Sequence, residues 1–172
     1  MFRINRLVGI SKLEAMVALL LIAILGAILL DRLLFYQEVA ERTAMETTII
    51  NLRSALRLTV AELRMQNRMQ DLEHLVGANP IAWLDRPPAN YAGELDNPSP
   101  TAIPPGSWCF DRTRRQLVYR PKLTRLIKAD SEEEKLIRFQ VTAVMRAEES
   151  AATPIAEGVA LSLVRPYDWS VE

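Results

Sequence analysis

One cysteine, Cys109, and one histidine, His74, are the only residues of their kinds in the 172-residue chain. A single cysteine cannot form an intramolecular disulfide, and with one histidine it does not complete the ligand set of a zinc site. The sequence also lacks a Gly-x-Ser-x-Gly motif, a glycine-rich phosphate loop and a His-x-x-x-His pair. We therefore expect no metal, no cofactor and no enzymatic activity.

The chain lacks any excess of charge of one sign, with 21 basic and 21 acidic residues. Three of the basic residues and one acidic residue lie at or before an apolar run near the N-terminus, which leaves 18 basic and 20 acidic residues after Leu30. Binding to phosphate backbones needs a net basic face, so this slightly acidic body is not expected to bind nucleic acid.

No charged residue occurs between Ala15 and Leu30. As a helix this run is roughly 24 Å long, and a further turn at either end brings it to the hydrocarbon thickness of a membrane. Arg3 and Arg6 precede the run, which by the positive-inside tendency places the N-terminus in the cytoplasm. The sequence therefore predicts a single-pass membrane helix with the rest of the chain on the far side.

Three other interpretations of this run are a cleavable secretory signal, an ordinary signal anchor and a buried helix of a soluble protein. A secretory signal has a short apolar core followed by small residues, whereas this run continues into bulky side chains at Leu33, Leu34, Phe35 and Tyr36. A buried soluble helix would need a core on every side. An ordinary signal anchor has the same kind of apolar run, so only the residues before the run can show whether this segment is something more specific than an anchor.

Residues 9 to 14 read Gly-Ile-Ser-Lys-Leu-Glu. This segment resembles the type III signal of prepilins, in which a short basic leader ends in glycine and a glutamate occupies the fifth position after the cleavage site. The resemblance is specific from about Arg6 to Leu30 and identifies the type IV pilin and pseudopilin family. It implies cleavage by prepilin peptidase between Gly9 and Ile10, N-methylation of the new Ile10 amine, and a role for Glu14 in assembly.

A carboxylate deep in an apolar environment costs about 2.5 to 3.5 kcal/mol on insertion scales, so Glu14 should find a partner. In assembled pilins, the resemblance implies, this glutamate is neutralised by the N-terminal amine of an adjacent subunit. The alternative is a glutamate that water satisfies in the headgroup region. Two residues depart from the family pattern: Lys12 stands where an apolar residue is usual, and Asp31 stands where many pilins have a helix-kinking proline.

No proline or glycine lies between Gly26 and Gly77, so the helix is expected to continue well beyond the membrane. Apolar residues then recur at three- and four-residue spacing, at Met45, Ile49, Leu52, Leu56, Val60 and Leu63. We expect this amphipathic stem to pack on its own domain, with a coiled coil as the alternative. The helix is predicted to weaken between Gln66 and Gln70.

The period of the apolar pattern changes from 3.6 to 2 after Gly106. Two alternating segments separated by a polar turn predict a β-hairpin, and two later segments predict further strands. The expected strands are Trp108 to Phe110, Leu117 to Tyr119, Ile137 to Ala143, and Val159 to Leu163. Seven prolines between Asn79 and Gly106 exclude long regular elements there.

Four other features have a possible binding role and a more ordinary alternative. His74 on a short helix is expected to be solvated or capping, and Cys109 in a strand to be a buried small hydrophobe. Arg112, Arg114 and Arg115 could bind an acidic partner, although a solvated turn is the default. The acidic turn at Asp130 and Glu132 to Glu134 lacks the alternating ligands of a calcium loop, so a charged turn is favoured.

The sequence therefore predicts an α+β fold, in which a long N-terminal helix spans the membrane with its first half and packs with its second half on a small antiparallel sheet. The predicted segments are a prepilin leader at 1–9, a transmembrane helix at 10–36, an amphipathic stem at 37–76, a Pro-rich loop at 77–106 and the antiparallel sheet of a periplasmic head at 107–172.

The predicted function is that of a structural minor pilin or pseudopilin of the inner membrane, assembled into a type IV pilus or a type II secretion pseudopilus. The single cysteine favours a minor subunit, because it cannot close a disulfide-bonded C-terminal loop. The implied partners are other pilin or pseudopilin subunits, prepilin peptidase and the inner-membrane assembly platform. The alternatives are a bitopic scaffold protein that never assembles and a membrane-anchored periplasmic enzyme.

Overall fold

A computed structural model describes residues 11–146 and 155–169 of the chain. The chain divides into two units, Met1–Gln37 and Glu38–Glu172. The predicted α+β fold is confirmed: a long N-terminal helix is followed by a small five-stranded sheet.

The first unit contains the beginning of helix α1, which extends over Lys12–Met65. The large apolar side chains of this part are exposed, among them Leu19, Ile22 and Leu29. By length and composition α1 is the one helix among the described residues that could cross a membrane. An apolar helix whose side chains face away from any protein core is suited to a lipid or protein environment outside its own fold.

In the second unit α1 packs its predicted apolar stripe on the sheet. Met45, Ile49, Leu52 and Leu56 are buried in the main core, and Val60 packs against that core at its margin. The prediction that the stem packs on its own domain is therefore confirmed from Met45 to Val60, whereas Leu63, the last residue of the predicted stripe, is half-buried and lies outside the main core. Helix α1 ends at Met65, and a 3-10 turn at Met69–Asp71 leads into the short helix α2, Leu72–Leu75.

The main sheet contains five strands in the order β1-β2-β3-β5-β6. Its strands are β1 Tyr91–Leu95, β2 Ser107–Asp111, β3 Gln116–Arg120, β5 Ile137–Arg146 and β6 Ile155–Leu163. Strands β2 and β3 form the predicted hairpin, with Trp108 opposite Tyr119. The two later predicted strands are β5 and β6, and both are longer than predicted.

The prediction of a purely antiparallel sheet is wrong, because β1 pairs with β2 in parallel. The prediction of a loop at 77–106 also needs correction, because this segment is not only loop. It contains β1 and two short 3-10 helices, Pro80–Trp83 and Pro100–Ala102. Prolines limit the length of these elements without preventing them, because none lies within β1. The positive φ of Gly93, 94°, accompanies an irregular register in this edge strand.

A second, two-stranded sheet pairs β4, Ile127–Lys128, with β7, Asp168–Trp169. Ile127 and Trp169 are buried in the main core together with Trp108, Phe139 and Leu161. The opposite face of the main sheet has a smaller core around Cys109 and Val118. The sheet is thus covered by α1 on one face and by loop residues on the other.

Candidate functional site: the ends and faces of the long helix

Ser11 forms the N-terminal cap of α1. The Ala15 backbone N–H donates to the Ser11 carbonyl oxygen at 3.0 Å, and the Glu14 N–H donates to Ser11 Oγ at 3.2 Å. Ser11 and Glu14 thus occupy the positions of a Ser-x-x-Glu capping box. A carboxylate in the first turn is also favourable at the positive end of the helix dipole.

The cap gives Glu14 a local role beside the assembly role that the resemblance implies. The Ser-x-x-Glu spacing was visible in the sequence and could have been recognised there. Glu14 and Lys12 are both exposed, as is Asp31 within the same helix. Gly9 and Ile10 lie outside the described residues, so the cleavage and methylation sites stay predictions.

Glu38 joins the beginning of the second unit's helix to the far end of the chain. Its side chain is 1% exposed. Its Oε1 accepts hydrogen bonds from the Leu126 backbone N–H at 2.9 Å and from Trp169 Nε1 at 3.2 Å. A buried carboxylate is stable when it receives such donors, and here it fixes both strands of the small sheet to the helix.

Glu41 lies one turn further along and receives three donors. Its Oε1 accepts from the Tyr119 hydroxyl at 2.9 Å and from the Lys122 N–H at 2.5 Å, and its Oε2 accepts from the Leu123 N–H at 3.1 Å. Burial first, and then the Glu41 carboxylate, raise the pKa of Tyr119 well above its usual range, so this hydroxyl remains a donor. Neither glutamate was recognisable from the sequence as a binding residue, because their donors lie 78 to 131 positions away in the chain.

A second stripe lies on the side of α1 opposite the core. Its members are exposed, uncharged and spaced by three or four residues, and we call them the outer stripe: Ala40, Thr43, Thr47, Ile50, Ser54, Leu58, Ala61 and Met65. Ile50 is 60% exposed, Leu58 72% and Met65 82%. An exposed helix face without charges over seven turns is unusual in a solvated helix and is typical of a surface that packs against another helix.

The hydroxyl groups of the outer stripe are satisfied within the helix. Thr43 donates to the Val39 carbonyl oxygen at 3.0 Å, Thr47 to the Thr43 oxygen at 2.8 Å, and Ser54 to the Ile50 oxygen at 2.9 Å. A hydroxyl that donates four residues back needs no solvent partner. The outer stripe could therefore be covered by a second helix without leaving a buried donor unpaired.

The arginines of the β2–β3 hairpin tip are engaged within the protein. Arg112 forms a two-point ion pair with Asp96, and Arg114 pairs with Glu133 at 3.1 Å. Arg115 donates to the carbonyl oxygens of Val76 and Gly77, at the end of α2. The tip thus fixes its surroundings, which favours the structural interpretation of these arginines over the binding of an acidic partner.

The acidic turn is engaged in the same way. Glu132 pairs with Lys135, Glu134 lies 3.6 Å from Arg165, and Glu133 accepts from Arg138 at 2.8 Å as well as from Arg114. The hydrogen bond from Arg114 lowers the pKa of Glu133. Carboxylates held by cations at these distances form a charged turn, the interpretation that the sequence favoured.

The remaining candidates have structural environments. Cys109 is fully buried in β2, and burial first and Asp111 second raise the pKa of its thiol to about 11. Asp111 accepts from the backbone N–H groups of Asn97, Thr113 and Arg114 and thereby shapes the hairpin turn. His74 is exposed on α2, as expected. Within residues 11–146 and 155–169, no group of three or more His, Cys, Asp or Glu side chains could hold a metal ion.

Comparisons with known proteins do not assign the chain to a class or to a particular protein: no family model, no curated protein and no solved structure matches it. The functional interpretation therefore depends on the N-terminal signal and on the surfaces described above.

Proposed function

We propose that this chain is a structural minor pilin or pseudopilin subunit, which prepilin peptidase cleaves after Gly9 and which assembles from the inner membrane into a type IV pilus or a type II secretion pseudopilus. In this proposal the N-terminus is cytoplasmic and the head is periplasmic. The observation that carries it is the outer stripe, because it offers an uncharged helix face on the side of the stem that the head leaves open.

Two further observations support the proposal. The apolar beginning of α1 is exposed and is long enough to span a membrane. The charged clusters that the sequence offered for binding or catalysis are engaged in ion pairs and backbone contacts within the head, as for Arg112 and Glu133. A structural role is therefore favoured over an enzymatic one.

The proposed assembly contact uses Glu14. Cleavage after Gly9 creates an amine on Ile10, and an amine of an adjacent subunit is a suitable partner for a carboxylate among apolar helices. The capping geometry is compatible with this contact, because Ser11 binds the Glu14 backbone N–H rather than its carboxylate.

Intact mass and N-terminal sequencing of the membrane-extracted protein test the proposal. In a host with prepilin peptidase, the mature chain should begin at Ile10 and carry one added methyl group. A matched control is Gly9→Leu, which should leave the leader attached. If the wild-type chain still begins at Met1, or if it is cut after Leu30, the pilin interpretation is wrong.

A second candidate is a membrane-anchored scaffold that does not assemble, and the place of the Glu14 carboxylate in the first turn of the helix, at the positive end of the helix dipole, is the observation that suits it. In that case Glu14 serves only the first turn of the helix, and the outer stripe binds a partner within the membrane-proximal layer. An uncleaved chain at its normal abundance in the membrane would support this candidate.

A further inference from the structure

A row of three arginines borders the outer stripe on one side. Arg53, Arg57 and Arg64 are exposed and follow one another at intervals of four and seven residues, so they lie on one edge of the helix. Among the described residues none of the three takes part in an ion pair, although Arg53 Nε donates to the Leu161 carbonyl oxygen at 3.3 Å. We call these residues the arginine row.

The basic residue nearest to this row does not add to its free charge. Arg42 pairs with Glu46 at 2.8 Å and donates to the Trp169 carbonyl oxygen at 2.5 Å. Two acidic residues earlier in the helix, Glu38 and Glu41, are also engaged, since they bind donors of the head. Within the part of the chain that the structure describes, the arginine row therefore keeps a positive charge that no ion pair compensates, beside a helix face that is free of charge.

The other border of the outer stripe does not match the arginine row. Two residues before each arginine lie Asn51, Ala55 and Glu62, at the same intervals of four and seven. We call these residues the opposite flank. When two parallel helices pack side by side, one flank of the first faces the other flank of the second. Two copies of this chain would thus bring three arginines against a flank with a single carboxylate.

From this mismatch we infer that the outer stripe is a binding surface for the stem helix of a different subunit, one whose facing flank carries carboxylates at the spacing of Arg53, Arg57 and Arg64. The inference rests on the proposed function, since assembly is what brings a second stem alongside. Charge pairs bordering an uncharged seam decide which helices associate, even where each pair contributes little to affinity.

The test makes the chain complementary to itself. In Asn51→Glu/Ala55→Glu, the opposite flank carries carboxylates at all three positions. Asn51 is exposed and Ala55 is half-buried, and glutamate is a good helix former. Full-length chains with Ile50→Cys are oxidised in detergent micelles, and the dimer that forms through position 50 is measured. Cys109 does not interfere, because it is fully buried.

We expect the unaltered flank to give little dimer. Asn51→Glu/Ala55→Glu should associate roughly tenfold more tightly, because two added carboxylates per chain give four new exposed ion pairs of ordinary strength in a two-fold dimer. High salt should remove the gain, and so should the addition of Arg57→Glu. The matched control Gln70→Glu/Ala89→Glu adds the same charge outside the helix and should change nothing. Circular dichroism confirms that each variant remains folded.

Two results would overturn the inference. If the chain with its own flank dimerises through position 50 as well as the double variant, the outer stripe binds a second copy and the arginine row does not select the partner. If the folded double variant gains no dimer, the row has no influence on association. Neither result depends on prepilin peptidase, so the proposed function, which cleavage at Gly9 tests, would stand or fail separately.

Discussion

Replacing Glu38 by alanine tests how strongly the head is attached to the stem. The carboxylate is 1% exposed and receives the Leu126 N–H and the Trp169 indole N–H. Glu38→Ala leaves both donors buried without an acceptor, at about 1 to 3 kcal/mol each, so the free energy of unfolding should fall by about 2 to 6 kcal/mol. For a unit of this size, at about 3 to 4 °C per kcal/mol, that corresponds to a melting temperature lower by about 6 to 24 °C.

The conservative variant separates hydrogen bonding from simple packing. Glu38→Gln keeps a carbonyl oxygen for both donors and loses only the charge. We therefore expect its free energy of unfolding to fall by about 1 to 2 kcal/mol. Glu62→Ala lies on an exposed part of the same helix, and its free energy of unfolding should stay within about 0.5 kcal/mol of that of wild type.

The assay is urea unfolding of the full-length protein in detergent, followed by tryptophan fluorescence. All three tryptophans belong to the second unit, and Trp169 reports directly on the bond to Glu38. If Glu38→Ala unfolds at the same urea concentration as Glu62→Ala, the two bonds contribute nothing to stability and the attachment described here is refuted.

Three further predictions concern the core, the thiol and assembly. Leu56→Asp places an unpaired charge at a site that is 2% exposed and should lower the free energy of unfolding by about 4 kcal/mol in the same urea assay. Cys109, whose pKa is raised to about 11, should resist iodoacetamide at pH 8 in the folded protein. Because folding favours the neutral thiol, the free energy of unfolding should fall as the pH rises from about 9 to 11. Glu14→Leu should be inserted and cleaved but should no longer co-purify with the other subunits of its assembly.

Each of these predictions has a control. Leu58→Asp lies two residues from Leu56 at a position that is 72% exposed, and an equal loss in both variants would contradict the packing of the stem. Cys109 should react with iodoacetamide at once in urea. Equal rates of alkylation with and without urea would show that the thiol is accessible in the folded protein. Equal recovery of Glu14→Leu and wild-type protein with the other subunits would reduce Glu14 to its capping role.

The elements that the sequence predicted well are those with local periodicity. The spacing of Met45, Ile49, Leu52 and Leu56 is sufficient to define a buried face, and alternation on both sides of a polar turn defines the β2–β3 hairpin. Strand β1 escaped notice because Tyr-Ala-Gly-Glu-Leu has little alternation and its parallel partner is a later segment of the chain. Proline density correctly excluded long regular elements between Asn79 and Gly106, but it did not exclude short ones, since prolines restrict only the residues beside them.

The candidate site was less predictable for a related reason. Glu38 and Glu41 look like ordinary surface charges on a helical wheel, because their donors come from the head, whose position relative to the stem no local pattern specifies. The outer stripe, in contrast, could have been read from the sequence as charges absent at every third or fourth position from Ala40 to Met65. In the stem, the apolar spacing drew attention to the buried face, whereas the absence of charge marks the outer stripe.

The bonds from the stem to Trp169 also fix the order in which the head can fold. Glu38 and Arg42 are separated from Trp169 by 131 and 127 residues, so the stem is synthesised long before the residue that it binds. Contacts of such high sequence separation form late and close a large loop. Until then the stripe from Met45 to Leu56 has no complete core to cover it. A chain interrupted before Trp169 would therefore present an apolar helix to chaperones and proteases, so completion of the C-terminal end would decide whether quality control removes this protein.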